Sequence, residues 1–159
     1  MLFNKTKEND LDQIIAIESQ KENSKFVFPN TIEEHFNLIN NEDIYHFILK
    51  DVDGCFIGYV ILAGLTNTNK SIELRRIVIS KKGKGYGRKT LNKIKGYCFK
   101  ELLCHRLWLD VLEANERACC LYQSEGFKEE GLLRENIFKD GTYQNLIIMS
   151  ILESEYNNR

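Results

Sequence analysis

A glycine-rich segment in the middle of the chain limits what this sequence can fold into. Residues 81–89 read KKGKGYGRK, with glycine at every second position from 83 to 87. The apolar run Ile77–Ile79 precedes this segment, and apolar residues at helical spacing follow it from Leu91 to Leu102. A strand that turns through glycines into an amphipathic helix is typical of α/β proteins. Such glycines let the backbone approach a ligand, and free N–H groups at a helix start bind phosphate oxygens. The alternative is a flexible basic loop.

The other periodicities predict one α/β domain over residues 1–159. With 43% hydrophobic residues, a chain of this length can bury one core, and no apolar run approaches the length of a membrane span. Helices are expected near residues 11–18 and 32–39, after the glycines and after Asn115. Strands are expected at 2–3, 44–50, 55–63, 71–80, 105–111, 127–139 and 142–152. This order, β-α-α-β-β-β-α-β-α-β-β, implies a single mixed, mostly antiparallel sheet with helices on both faces.

The charge distribution indicates an anionic ligand near the middle of the chain. The formal net charge is only −1. Residues 1–70 carry 6 basic and 11 acidic side chains, residues 71–105 carry 10 and 2, and residues 106–159 carry 6 and 10. A basic centre between acidic flanks favours a phosphorylated cofactor or nucleic acid, although a solvated lysine-rich helix has the same composition.

Two common phosphate-binding loops do not fit the glycine-rich segment. A dinucleotide fingerprint beginning at Gly83 requires glycine or alanine at position 88, where the chain has Arg88. A Walker A loop, in the alignment GKGYGRKT, fails at the same residue, because the glycine before its lysine lets the backbone wrap the phosphate. Both classes of nucleotide-binding protein are therefore disfavoured.

The segment Lys82–Gly87 resembles the acetyl-CoA signature [Q/R]xxGx[G/A] of the GCN5-related N-acetyltransferases, with lysine at the first position. A second block, NERACCLYQSEGF at 115–127, resembles the family pattern N-x-x-A-x-x-x-Y-x-x-x-G-F. The two blocks occur in the family's order, and the resemblance covers residues 71–152. It implies the family fold, with the strand at 71–80 splaying from the strand at 106–111.

The resemblance also implies acetyl-CoA as co-substrate and a set of residues that bind it. The strand before the glycines is expected to pair with the pantetheine arm, and the loop amides are expected to hold the phosphates. The implied cofactor-binding residues are Ile77, Val78, Ile79, Lys82, Gly83, Lys84, Gly85, Gly87, Arg88 and Asn115. No metal is expected, because the three histidines are scattered and no cysteine pair has ligand spacing.

Two residues are the catalytic candidates. Tyr122 matches the family tyrosine that donates a proton to the departing thiolate, although a tyrosine there also packs well on a sheet. Glu73 lies where several relatives carry a glutamate base, although it also suits a surface strand residue paired to a lysine. Weaker candidates for the base are Glu113, Glu129 and Glu130.

These observations predict an N-acetyltransferase that transfers acetyl directly from acetyl-CoA to a primary amine in a ternary complex. The acceptor is a small cationic amine or a peptide N-terminus, and the acidic first third of the chain favours the cation. The segment GFKEEGLLRE around Arg134 resembles ribosomal-protein and spermidine acetyltransferases. Neither nucleic acid nor a membrane is an expected partner, a homodimer is left open, and unpatterned cysteines indicate the cytoplasm. The alternative is a non-catalytic CoA-binding or sensor module with the same fold.

Overall fold

The computed structural model describes residues 1–80 and 82–158. The strands are β1 Leu2–Lys5, β2 Ile44–Lys50, β3 Phe56–Ala63, β4 Ser71–Ile79, β5 Arg106–Leu112, β6 Lys128–Lys139 and β7 Thr142–Leu152. The helices are α1 Leu11–Glu18, α2 Lys21–Ser24, α3 Ile32–Ile39, α4 Tyr86–Gly96, α5 Glu116–Ser124 and α6 Glu153–Asn157. A 3₁₀ turn, Glu8–Asp10, precedes α1, and a π-helical segment, Tyr97–Glu101, continues α4.

The strands form one mixed sheet in the order β1-β2-β3-β4-β5-β7-β6. The pairs β1–β2, β2–β3, β5–β7 and β6–β7 are antiparallel, and β4–β5 is parallel. This confirms the predicted mixed, mostly antiparallel sheet. By its internal packing the chain divides into two compact units. The first holds residues 1–67 and 74–87, and the second holds residues 68–73 and those from Arg88 onward.

The first unit has a core of aliphatic side chains from α1, β2, β3 and β4. Helix α3 begins as the sequence predicts, because Thr31 and Glu34 form a capping box in which each side chain accepts a hydrogen bond from the other's backbone N–H. Asp10 and Gln13 have the spacing that predicts a second capping box before α1, and this prediction is wrong, because the Asp10 side chain makes no capping hydrogen bond to α1. Asp10 instead accepts from the Lys7 N–H at 2.8 Å, because a 3₁₀ turn places the start of the helical segment three residues earlier.

A close approach of β3 to β4 fixes the strand that precedes the glycine-rich loop. A Cβ atom on Gly58 would lie 2.0 Å from the carbonyl oxygen of Val78. Beyond this point, Ser80 donates its backbone N–H to the carbonyl of Ile57 at 2.8 Å. Only glycine leaves room for this contact, so Gly58 determines where the end of β4 lies against β3.

In the second unit, β5, β7 and β6 pair antiparallel. The start of β4 pairs with β5 at three positions, from Ser71 with Arg106 to Glu73 with Trp108, and the described ladder ends there. The turn at Asp140 and Gly141 has positive φ at both residues, which is the hairpin geometry that this dipeptide predicts.

The short helices α2 and α6 were not predicted, because five residues or fewer give no readable periodicity. Within residues 1–80 and 82–158, none of the helices has the length and apolarity needed to span a membrane.

Candidate functional site

The glycine-rich loop of the first unit has the backbone that its sequence requires. Gly83 and Gly85 have φ of 80° and 74°, a left-handed conformation that side chains with a Cβ rarely adopt. Both glycines and Lys84 are exposed, and Gly87 lies in the first turn of α4. No acidic residue occupies that first turn, so nothing there competes with an anion for the helix N-terminus. The loop therefore presents backbone amides in an arrangement suited to phosphate.

Lys82 occupies the first position of the acetyl-CoA signature, and its side chain contacts the short helix α2. Its ammonium donates to the backbone carbonyl of Glu22 in α2 at 2.7 Å and lies 3.8 Å from the Glu22 carboxylate. The lysine thus ties the loop to α2. Lys81, one of the basic residues counted with this loop, lies outside the described residues.

The end of β4 carries the three residues expected along the pantetheine arm. Val78 is buried in the first-unit core, whereas Ile77 and Ile79 are half-buried. Their side chains alternate with that of Val78 and lie on the opposite face of the strand, as β geometry requires.

In the second unit, Arg88 is held by the end of α5. Its guanidinium donates to the carboxylate of Glu125 and, at 3.0 Å, to the hydroxyl of Ser124. Lys95 donates to the same carboxylate at 2.8 Å. Burial alone would raise the pKa of Glu125, but the contacts with Lys95 and Arg88 outweigh it and lower that pKa. The carboxylate therefore contacts both the first turn of α4, through Arg88, and its last turn, through Lys95, and ties them to the end of the helix that carries Tyr122.

Asn115 and Tyr122 lie at the two ends of α5. Asn115 caps the helix, since its side-chain oxygen accepts from the Ala118 N–H at 3.3 Å, and Gly126 ends the helix with φ of 94°. Tyr122 is only 8% exposed, and its hydroxyl makes no hydrogen bond within the described part of the chain. Burial, with smaller contributions from Cys119 and Asp110, raises the pKa of Tyr122. The phenol is therefore protonated at neutral pH and has a proton to donate.

Glu73 lies at the last described pair of the β4–β5 ladder, opposite Trp108. Its side chain is half-buried. Two of the three weaker base candidates have other partners. Glu130 accepts from Ser150 and pairs with Arg106, and these contacts lower its pKa. Glu113 accepts from the Asn145 amide at 2.8 Å.

Each unit brings together part of the predicted site. The first unit holds Ile77–Ile79 and the glycine loop, and the second holds Glu73, Arg88, Asn115 and Tyr122. Across the described residues, no group of three histidine, cysteine or carboxylate side chains is placed to hold a metal ion. Of the cysteines, Cys98 and Cys104 are buried, whereas Cys55 and Cys120 are exposed.

The first unit also contains a buried polar network that sequence reasoning missed. Its centre is Glu18, the last residue of α1, whose side chain is fully buried. One carboxylate oxygen accepts from the Tyr59 hydroxyl and, at 2.8 Å, from Arg76. The other accepts from the backbone N–H of Asn30 at 3.1 Å. His35 Nε2 lies 3.3 Å from the first oxygen but is too poorly aligned for a hydrogen bond.

A chain of hydrogen-bonding side chains leads away from this carboxylate. His35 Nδ1 lies 3.1 Å from His46 Nε2, and His46 Nδ1 lies 2.9 Å from the Thr6 hydroxyl. In the arrangement that places an N–H of His35 against the Glu18 carboxylate, Thr6 donates to His46 Nδ1 and His46 Nε2 donates to His35 Nδ1. Burial lowers the pKa of His46 to about 3, helped by His35 and Arg76. Burial opposes ionisation of Glu18, but His35, Tyr59 and Arg76 together lower its pKa.

This network predicts a loss of stability in mild acid. Between pH 6.5 and 3 the unfolded chain protonates His46 and the folded chain does not, so stability falls as pH falls through this range. We expect about 2 kcal/mol to be lost between pH 7 and 5. The lowered pKa of Glu18 adds a loss only below its ordinary value near 4.5. Denaturant unfolding at the two pH values measures the difference.

The variant His46→Gln removes the titration but keeps an amide that can replace both ring hydrogen bonds. It should be less stable at pH 7 and show a flatter pH dependence. His105→Gln, at a ring whose side chain is 62% exposed, is the matched control and should keep the slope of the unsubstituted protein. A full pH dependence in His46→Gln would show that another group is responsible.

Comparisons with known proteins agree with these features. The model of the acetyltransferase (GNAT) family matches residues 11–127. The spermidine N(1)-acetyltransferase of Vibrio cholerae is 35% identical over 130 residues, which is 80% of this chain and 75% of that protein. That of Escherichia coli K12 is 29% identical over 119 residues, 74% of this chain and 63% of its own length. The putative ribosomal N-acetyltransferase YdaF of Bacillus subtilis is 28% identical over 105 residues, 65% of this chain and 57% of its own.

Solved structures resemble the chain over its whole length. The Vibrio cholerae spermidine N-acetyltransferase in complex with CoA and spermine has a TM-score of 0.89 and 30% identity, covering 99% of this chain and 98% of that one. A chimera of the same enzyme with hSSAT has a TM-score of 0.87 and 30% identity over 100% of both chains.

Proposed function

The chain belongs to the GNAT acetyltransferase family and transfers acetyl from acetyl-CoA to an amine, and we propose that its acceptor is a small aliphatic primary amine. The observation that carries the proposal is the similarity, over 99% of the chain, to an enzyme structure that holds CoA and spermine. The acidic balance of residues 1–70 supports a cationic acceptor.

We assign the binding of acetyl-CoA to the loop and strand described above. The backbone amides of Gly83, Lys84, Gly85 and Gly87 are suited to the pyrophosphate, because the glycines leave them exposed. Ile77–Ile79 would pair through their backbone with the pantetheine arm. Three other residues support the proposed acetyl-CoA site. Lys82 ties the loop to α2, Arg88 adds positive charge at the start of α4, and Asn115 caps α5.

The proposed chemistry needs one base and one acid. An acceptor ammonium must lose a proton before its nitrogen attacks the thioester carbonyl, and Glu73 is the proposed base. The tetrahedral intermediate then collapses, the C–S bond breaks, and the thiolate takes a proton from the Tyr122 phenol. The new amide nitrogen releases its second proton to solvent, and the Tyr122 phenolate recovers a proton from solvent. A thiolate is a good leaving group, so the contribution of Tyr122 is smaller than that of the base.

The function is tested by release of free CoA from acetyl-CoA in the presence of an acceptor panel. The panel should include spermidine, spermine, short diamines, basic amino acids and N-terminal peptides, with a thiol reagent as the readout. We expect turnover with one or more small aliphatic amines. Binding of CoA by calorimetry without turnover on any acceptor would favour the non-catalytic CoA-binding module instead.

Tyr122→Phe tests the proposed acid. Because the hydroxyl has no hydrogen-bond partner in the described part of the chain, its removal should leave stability unchanged. We expect kcat to fall by about tenfold, the low end for general acid catalysis, with the KM for acetyl-CoA nearly unchanged. Tyr143→Phe, at a tyrosine that is 65% exposed, is the control. An unchanged kcat in Tyr122→Phe would assign this tyrosine a packing role only.

Three further parts of the proposal concern the whole protein. We infer that residues 1–159 act as one acetyltransferase domain, in keeping with the family match across 11–127. A cytoplasmic location is supported by acetyl-CoA as co-substrate and by five cysteines that form no disulfide within the described residues. Light scattering will distinguish the 18.6 kDa monomer from a homodimer.

A further inference from the structure

Two buried cysteines lie close together in the second unit and have no part in the proposed acetyl transfer. Cys98 lies in the π-helical segment that continues α4, and Cys104 lies in the turn between that segment and β5. The two residues are 0% and 1% exposed. Buried cysteines are commonly small apolar core residues, but two thiols buried side by side can also react with each other.

The backbone brings the two residues within the range of a disulfide. The Cys104 N–H donates to the Cys98 carbonyl at 3.0 Å, after Leu103 has turned the chain with a φ of 51°. With standard bond lengths, this hydrogen bond keeps the two α-carbons within roughly 7 Å of each other. Because disulfides span about 4.4–6.8 Å between α-carbons, the bond needs little movement of the backbone.

Both thiols point into the same part of the interior. Of the residues between the two cysteines, Lys100, Glu101 and Leu103 are exposed, so the turn directs these side chains outward and both thiols inward. A hydrogen bond between the thiols raises the pKa of Cys98, and burial adds to that rise. The same hydrogen bond lowers the pKa of Cys104, although burial opposes it. Cys104 is therefore the better nucleophile of the pair, since the thiolate is the reactive form.

The neighbours of Cys104 also make it the more accessible of the two cysteines. It lies between Leu103, which is 62% exposed, and His105, whose side chain is 62% exposed. Cys98 lies inside the helical segment itself. A local opening of the exposed turn uncovers Cys104, whereas Cys98 is uncovered only when the helical segment opens.

We propose that Cys98 and Cys104 are an oxidation site, at which hydrogen peroxide forms a reversible intramolecular disulfide. The Cys104 thiolate attacks one peroxide oxygen, the O–O bond breaks, and the leaving hydroxide takes up the proton that the thiol released, which gives water and a sulfenic acid. The Cys98 sulfur then attacks the sulfenic sulfur, the S–O bond breaks, and the leaving hydroxide takes the Cys98 proton. Two thiols are thus oxidised to one disulfide, and one peroxide is reduced to two molecules of water.

The test uses a variant that keeps only this pair. Replacing Cys55, Cys119 and Cys120 together by serine leaves Cys98 and Cys104 as its cysteines. The folded variant is treated with hydrogen peroxide, then denatured and titrated with a thiol reagent. We expect both thiols to be lost together, with a mass lower by two hydrogen atoms, and dithiothreitol should restore both.

Single serine variants in the same background identify the attacking sulfur. Cys98→Ser should form a sulfenic acid at Cys104, which dimedone traps. Trapping should be about tenfold or more slower at Cys98 in Cys104→Ser, because the lower pKa and the exposed turn both favour Cys104. Peptide mapping of the unsubstituted protein covers the case in which a serine variant fails to fold, and we expect a peptide that joins Cys98 to Cys104.

Three results would overturn the proposed site. They are a mass raised by added oxygen atoms, a disulfide between two copies of the chain, and thiols that survive peroxide until the protein is unfolded. None of these measurements uses acetyl-CoA or an acceptor amine. A failure of the proposed function therefore leaves this test unaffected, and a failure of this test leaves acetyl transfer as it stands.

Discussion

Replacement of Gly58 by alanine is expected to destabilise the protein by roughly 3 kcal/mol or more, at or beyond the usual upper end for overpacking. The new Cβ would lie 2.0 Å from the carbonyl oxygen of Val78 and 3.1 Å from the Cα of Ile79. Both contacts are with backbone, so no side-chain rotation relieves them. The end of β4 would have to move away from β3, and the proposed pantetheine strand would move with it.

The matched control is Gly131→Ala. This glycine also lies in a strand, but a Cβ there would meet nothing within 4 Å. Denaturant unfolding of both variants gives the comparison, and the KM for acetyl-CoA reports the position of β4. If Gly58→Ala unfolds at the same denaturant concentration as Gly131→Ala, the close approach does not determine this part of the fold.

Much of the fold could be predicted because its signals are local. The Thr31–Glu34 box, the Asn115 cap, the Gly126 terminator and the Asp140–Gly141 turn each depend on a few adjacent residues, and the structure contains all four. The close contact at Gly58 joins residues twenty apart, and nothing next to Gly58 in the sequence indicates it.

The buried polar network also could not be predicted, because its residues lie far apart in the sequence. Glu18, His35, His46, Tyr59 and Arg76 come from five separate elements, and each has an ordinary explanation when taken alone. His46 and Tyr59 occupy strand positions that alternate with apolar residues, which predicts burial but not a partner. Polar residues within apolar strands were the one available signal, since a buried polar group requires a hydrogen-bond partner.

The backbone conformation of the candidate site could be predicted from the sequence, but the partners of its charged side chains could not. Glycines at 83 and 85 indicate a left-handed loop wherever they occur between a strand and a helix. The partners of Lys82 and Arg88 depend instead on α2 and α5, which approach from distant parts of the sequence. A basic side chain beside a phosphate-binding loop can either bind the phosphate or pair with another part of the protein. Only the tertiary structure shows which partner it has.

Glu73→Gln is expected to lower kcat by about a hundredfold or more at pH 7, the range for removal of a general base. The amide is the same size and can keep a hydrogen bond, so the KM for acetyl-CoA should change little. The loss should shrink as pH is raised from 7 to 9.5, because an increasing fraction of the acceptor amine then arrives without its extra proton and needs no base. Steady-state kinetics across this pH range, with one good acceptor, provide the measurement.

The pH dependence is what distinguishes a base from a residue that only shapes the site. A purely structural role for Glu73 would give a loss that is the same at every pH. Glu113→Gln is the matched control: its carboxylate already accepts from Asn145, so kcat should stay close to that of the unsubstituted enzyme. Glu73 lies on β4, opposite Trp108, whereas Glu113 directly follows β5. If Glu113→Gln shows the larger, pH-dependent loss of kcat, the base is Glu113 and not Glu73.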